Sequence, residues 1–277
     1  LVVIGLITGG ILVGQDLIQA GQLRSVISQV EKYETAANSF KLKYGELPGD
    51  IGSDKAAAFG LQTRNGAFGR GDENEVVQHL KSWGTHNPGA SVVSGELGLF
   101  WRDLSETGLI SESFNTATDA IYTGTQGTEP WDFFLPKTEL RDNYIYVWSG
   151  GEIGSTGESN GKTYFGVTNP YTQNNSVTYT EAGMSVLEAY KIDDKVDDGK
   201  PLTGKVTSVR AYHNRMKRSR GGPHNWADGA AEGVAQPAHD TQCYDNDNNA
   251  SLPHHYSTDY EGGSHIACSL SFEVFSK

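Results

Sequence analysis

LVVIGLITGGILVGQDLIQAGQLRSVISQVEKYETAANSFKLKYGELPGD, residues 1–50, decides how this chain is built. Its opening run, Leu1 to Val13, is apolar and as a helix would reach about 20 Å, short of the roughly 30 Å hydrocarbon core of a bilayer. It carries no basic lead and no small-residue cleavage box, so it does not read as a complete secretory signal. The pattern then changes without a break. Leu23, Val26, Ile27, Val30, Tyr33, Ala37, Phe40 and Tyr44 follow alternating steps of three and four, one apolar stripe on a helix. Arg24, Ser25, Ser28, Gln29, Glu31, Lys32, Glu34 and Lys41 fill the other faces. Gly45 and Pro48 supply the stop. The reading is a single helix of about 45 residues, roughly 65 Å long, apolar all round for its first third and amphipathic thereafter.

A globular domain cannot cover such a stem. Leu1, Val2, Val3, Ile4, Leu6, Ile7, Ile11, Leu12 and Val13 each gain about 1.5–3 kcal/mol on leaving water. They must be buried in a membrane, in a partner or in copies of the same chain. Gly5, Gly9, Gly10 and Gly14 each weaken the helix by about 1 kcal/mol relative to alanine, and they permit close helix–helix approach. The division expected is a stem at 1–22, the amphipathic half of the helix at 23–45 and a globular head at 46–277.

The chain as a whole is acidic: 22 Lys and Arg against 34 Asp and Glu give a net charge of −12, which disfavours binding to nucleic acid phosphates. With 34 Gly, 13 Tyr and 10 Phe in the full sequence, the chain beyond the long helix reads as a sheet-rich domain with many turns. Cys243 and Cys268 fit one disulfide of a secreted protein; two buried thiols are the alternative.

Along the head, Ser53–Phe59 reads as a short helix with Ser53 as N-cap, 65–72 as a glycine-rich turn, and 124–129 as a loop. Glu73–Trp83, Gly98–Thr107 and Met184–Tyr190 read as helices. Asn143–Trp148 and Lys162–Val167 read as paired strands across the loop 150–161, and Gly204–Tyr212 and Ser269–Phe275 as further strands. The overall class is α+β, the amphipathic half of the long helix lying on an antiparallel sheet.

Several clusters invite a chemical reading. Asp193, Asp194, Asp197 and Asp198, followed by Gly199, gather hard-cation ligands, and calcium is the natural ion, although the spacing is not that of an EF-hand. A solvated acidic turn closing a helix explains the same residues. Asp245, Asn246, Asp247, Asn248 and Asn249 form a second oxygen-rich loop. Arg210, Arg215, Lys217, Arg218 and Arg220 form a basic run that could meet an acidic turn on a neighbouring subunit. His239, His254, His255 and His265 share the C-terminal region with both cysteines, but CxxC, HExxH and GxSxG spacings are absent and no catalytic site is expected. No CxxCH haem attachment is present either.

Residues 1–50 resemble type IV pilins and type II secretion pseudopilins. Tyr44-Gly-Glu-Leu-Pro-Gly-Asp50 is similar to the helix exit of that family, the stretch from Glu96 to Ile110 to its second helix, and the stretch from Glu188 to Gly204 to a late motif of its larger members. Cys243 and Cys268 bound a segment similar to the C-terminal disulfide loop of many pilins. The resemblance implies a pilin fold with a C-terminal disulfide loop, and a structural, non-enzymatic subunit that polymerises through its stem into an extracellular, cell-surface filament. It also implies residence in the inner membrane before assembly and handling by pilus assembly machinery. Aligning the apolar run with the family suggests that about nine residues, a glutamate among them, precede Leu1 in the mature form. In the polymer the stem is expected to be extended somewhere within Gly5–Gly14. A pseudopilin of a type II secretion system and a membrane-anchored binding or adhesin module are the competing readings.

Overall fold

The computed structural model describes residues 2–78, 91–120, 122, 131–149, 161–174, 177–210, 235, 237–240 and 242–276. Helix α1, Val2–Tyr44, is continuous through all of its glycines. The extended segment expected within Gly5–Gly14 concerns the polymer; in the single chain that window is helical. The helix stops at Gly45, which takes φ 83° and returns its N–H to Lys41 O, a left-handed C-terminal cap that glycine adopts without steric cost.

From Leu23 onward the apolar stripe of α1 packs on the head. Leu23, Val26, Val30, Tyr33, Ala37 and Phe40 are buried, while Ile27 and Tyr44 are half-buried against the same core. Helix α3, Gly95–Glu106, is enclosed along most of its length. Its Trp101 sits edge-on to Tyr33 of α1, with ring centroids 5.1 Å apart, and 5.6 Å from Phe165 of the sheet. The aromatic layer Tyr33–Trp101–Phe165 therefore joins the long helix to the sheet through α3, the kind of burial that dominates core energetics.

The sheet is antiparallel throughout. Strand β1, Tyr144–Ser149, pairs with β2, Lys162–Asn174, whose other edge pairs with β8, Ile266–Ser276. Strands β4, Met184–Ser185, and β5, Val206–Arg210, both pair with β8, and β3, Val177–Glu181, extends the far half of β2. A separate ribbon joins β6, Tyr244–Asp245, to β7, His255–Tyr256. The disulfide Cys243–Cys268 links the base of this ribbon to β8. In β8 every residue from Ala267 to Phe272 is buried, Leu270 and Phe272 in the core among them.

Three local expectations are corrected. Helix α2 spans Ser53–Phe59, but its N-cap is Gly52, and Ser53 is the first helical residue. Glu73 Oε1 accepts the Gly52 N–H and occupies the space where a Cβ at residue 52 would stand. Residues 73–78 are not helical; Glu73 and Glu75 take φ of 58° and 66°, and the N–H groups of Asn74 and Glu75 turn to the Asp50 carboxylate. Tertiary hydrogen bonds there override helix propensity; residues 79–83 lie outside the described residues. Helix α4 starts at Val186 rather than Met184 and runs to Val196, because Ser185 and Glu188 form a reciprocal capping box. The loops 124–129 and 150–160 and residues 211–212 also lie outside the described residues.

Candidate functional site: the projecting stem

Among the side chains described, Leu23 is the first of α1 to be buried. The helix ahead of Gln19, residues 2–18, is roughly 25 Å long. Ile11, Val13, Leu17 and Ile18 are between 54% and 69% exposed, far more than such side chains show in a packed core. Leu42, at 89%, adds a large apolar side chain at the far end of the same helix. At 100° per residue, Val13, Leu17 and Leu42 fall within a sector of about 40° opposite the buried stripe. The backbone of Val2–Gly9 is helical; the side chains of residues 1–9 and of Leu12, which include the expected core residues Leu1, Val2, Val3, Ile4, Leu6 and Ile7, lie outside the description.

The glycines are as informative as the apolar residues. Gly10, Gly14 and Gly21 also share a sector of about 40°, adjoining Leu17. A Cβ placed on any of the three would meet nothing within 4 Å. In the head the opposite holds: a Cβ on Gly49, at φ 82°, would lie 2.3 Å from Glu96 O, and one on Gly98 would lie 2.5 Å from the Val93 carbonyl carbon. So Gly49 and Gly98 are required by intrachain contacts, whereas the stem glycines weaken the helix with no contact inside the chain that needs them. Among the described residues, no helix is long and apolar enough to cross a membrane.

The stem is fastened at its base by a network missing from the sequence reading. Gln19 Nε2 donates to Glu188 Oε1 at 2.9 Å, across 169 positions of sequence. Arg141 clamps the same carboxylate with both terminal nitrogens, Nη2 at 2.9 Å from Oε1 and Nη1 on Oε2, and the Ser185 N–H completes the shell at 2.8 Å. Burial works to raise the Glu188 carboxyl, but the bonds from Arg141, Gln19 and Ser185 outweigh it and hold the group below its ordinary range. A depressed folded-state value means that the contribution is present above the unfolded value and is lost as pH falls through the folded one. We therefore expect the fastening to open only in acid, below the ordinary glutamate range. Glu188→Gln should open it at neutral pH, costing about 1.5–3 kcal/mol. Spin labels on Asp16→Cys and Leu252→Cys would read this as a broadened distance distribution in the variant, and acid should broaden wild type alone. Unchanged distances in the variant would assign Glu188 to capping only.

At the other expected sites, the last turn of α4 and the turn after it gather Asp193, Asp197 and Asp198 within reach of one another, while Asp194 stays out of the group and faces solvent. The three carboxylates already serve the loop. Asp193 accepts from Gly199 N at 3.3 Å and Tyr256 Oη at 2.7 Å, Asp197 from Val206 N at 3.0 Å, and Asp198 from Thr203 Oγ1 at 2.7 Å. Burial pushes Asp193 up to about 7, against the pull of Tyr256 and Gly199, whereas the Thr203 hydroxyl leads the effects holding Asp198 down. Of the four histidines, His255 comes 3.5 Å from both Asp245 and Asp247. Of the basic run, only the backbone of Arg210 is described, in β5; Arg215, Lys217, Arg218 and Arg220 lie outside the described residues.

A second group went unread in the sequence: Asp50, Asp72 and Glu96 converge beside α3. Burial pushes Asp50 up to about 7, backbone N–H groups of Glu75 and Asn74 oppose it, and Asp72 adds repulsion. Glu96 is raised well above the usual carboxylate range, by burial first and then by Asp50.

Fold and stem together define a class: an α+β head carried on one long N-terminal helix whose free part exposes apolar and glycine surface, an architecture compatible with a pilin-like fold. No protein-family model, curated protein or solved structure matches this chain.

Proposed function

We propose that this chain is the structural subunit of a type IV pilus-like extracellular filament, held in the inner membrane before assembly and polymerised by pilus assembly machinery through its stem. The observation that carries the reading is the free part of α1: Val13 and Leu17 stand exposed beside Gly10, Gly14 and Gly21, which no contact within the chain requires. Small residues on one helix face let backbones approach closely, and flanking branched side chains supply the apolar contact. Copies of the same helix are the surface that satisfies both. In that arrangement stems form a shared core and heads form the outer shell.

Electron microscopy of material sheared from cells producing the full-length chain tests the proposal. Helical fibres with stems at their centre are the expected result. Isolated copies that stay in the membrane would overturn it and turn attention to a pseudopilin or an anchored binding module. Removing the residues before Leu23 should leave a monomeric head.

Gly14→Leu separates assembly from folding. Leucine is the better helix former by just under about 1 kcal/mol, and the single chain has open space at this position. The variant monomer should therefore melt no lower than wild type, while fibres become scarce or absent. Normal fibres from Gly14→Leu would show that close stem packing at this face is not used.

A further inference from the structure

We propose that Asn249 is a glycosylation site whose side-chain amide nitrogen takes an oligosaccharide from a lipid-pyrophosphate donor. The sequence holds two Asn-X-Ser triplets, Asn174-Asn175-Ser176 and Asn249-Ala250-Ser251, the pattern that oligosaccharide transferases read. Pattern alone treats the two alike; their places in the fold separate them.

Asn249 lies in the loop that joins β6 to β7, and every residue from Asp247 to Pro253 is exposed. Asn249 Oδ1 accepts the Ser251 N–H at 3.0 Å, and Asn249 O accepts the Leu252 N–H at 3.0 Å. The asparagine side chain is thereby folded back over the serine whose hydroxyl completes the triplet, a turn of the Asx kind. Among the described residues, neither Asn249 Nδ2 nor Ser251 Oγ is bonded to the rest of the chain. The nucleophile and the hydroxyl are both open to an incoming enzyme. Asn143 shows the contrary case: it is fully buried, and its Nδ2 donates to Leu140 O at 2.6 Å and Gly183 O at 2.9 Å.

The loop is fixed at its base, so the triplet is presented by the folded head. Asn249 N donates to Asn246 O at 2.9 Å, and Asp247 N to Asp245 Oδ1 at 3.1 Å. The Cys243–Cys268 bridge ties the start of β6 to β8. Such a bridge persists in oxidising compartments, and an Asn-X-Ser surface loop is an acceptor in exported chains. The inference rests on the bridge and the exposed turn, not on the filament. Asn174, by contrast, ends β2 and pairs with Val177 of β3. Its backbone belongs to the ladder, extended where Asn249 turns.

The transfer joins Asn249 Nδ2 to the anomeric carbon of the sugar carried on the lipid pyrophosphate. The carbon–nitrogen bond forms as the carbon–oxygen bond to phosphate breaks. The bonding electron pair leaves with the lipid pyrophosphate, and one Nδ2 proton passes to a base of the transferase.

Mass spectrometry of the full chain, intact and as peptides, purified from the cells that naturally export it, tests this. Most copies should weigh more than the sequence by one glycan, and the peptide carrying Asn249 should hold the whole excess. Asn249→Gln and Ser251→Ala should each abolish it, Ser251→Thr should retain it, and Asn174→Gln should leave it unchanged. Retention with threonine and loss with alanine is the signature of a read triplet, which a merely structural serine would not give. A wild-type Asn249 peptide at its sequence mass overturns the proposal, and that result needs no variant to fold. So does an excess that survives Asn249→Gln, which would put the sugar elsewhere on the chain.

Discussion

Arg64→Ala is expected to destabilise the head by about 3–5 kcal/mol, the range found when one partner of a buried ion pair is removed. Both side chains of the Arg64–Asp103 pair are fully buried. Arg64 Nη1 and Nη2 donate to the two Asp103 oxygens at 2.9 and 2.6 Å, and Nε donates to Gln62 O at 3.1 Å. Asp103 also accepts the Gly49 N–H at 2.7 Å. The guanidinium thus joins the loop after α2 to α3 and to the exit of α1. Alanine would leave a carboxylate in the interior with one backbone donor, far less than it loses in leaving water. The urea midpoint should fall by roughly 1–2 M. Arg64→Met combined with Asp103→Leu should recover part of the loss, since no charge is then stranded. Recovery stays partial because the Gly49 N–H is orphaned, at about 1–3 kcal/mol. A single-variant loss under about 1 kcal/mol would mean that water reaches the pair.

The second large effect concerns Cys243 and Cys268. The bridge closes a loop of 25 positions, and chain entropy assigns such a closure about 3–4 kcal/mol. Cys243→Ala with Cys268→Ala should lower stability by about that amount, and reduction of wild type should reproduce it. The loss should be uneven. The β6–β7 ribbon is also held by Tyr256 Oη on Asp193 at 2.7 Å and by the ring of Tyr256 against Tyr190. Hydrogen exchange should therefore speed up first in the ribbon and last in β2 and β8, the most extensively paired strands of the sheet. Uniform loss across the sheet would show that the bridge supports the whole domain.

Elements whose identity rests on local pattern were legible without coordinates. The three-four stripe from Leu23 to Tyr44 marked the face of α1 that packs, and Gly45 marked where it stops. The alternation of 144–148, 162–167 and 269–275 marked β1, β2 and β8. Cys243 and Cys268 left a bridge and two thiols both open, and the structure shows the bridge. What failed locally had a nonlocal cause. Residues 73–78 carry helix-compatible side chains, yet their N–H groups find Asp50 and Glu96, at sequence separations of 18–25 positions. Ser53 lost its cap role because Glu73 holds Gly52. The acidic run 193–198 drew attention by density, while Asp50, Asp72 and Glu96, scattered over almost fifty positions, drew none.

By itself, the sequence determined that there is one long helix, which face of its second half is apolar, and that an α+β domain with an antiparallel sheet follows it. Periodicity and side-chain polarity are written residue by residue, so these properties need no knowledge of distant neighbours. Only the tertiary structure decided that Gly10, Gly14 and Gly21 stand free while Gly49 and Gly98 do not, that Gln19 is tied to Glu188 across the molecule, and that the remote carboxylates of Asp50, Asp72 and Glu96 come together. Each of these depends on which segments pack side by side, and that is set by burial of the whole core rather than by any stretch of chain alone.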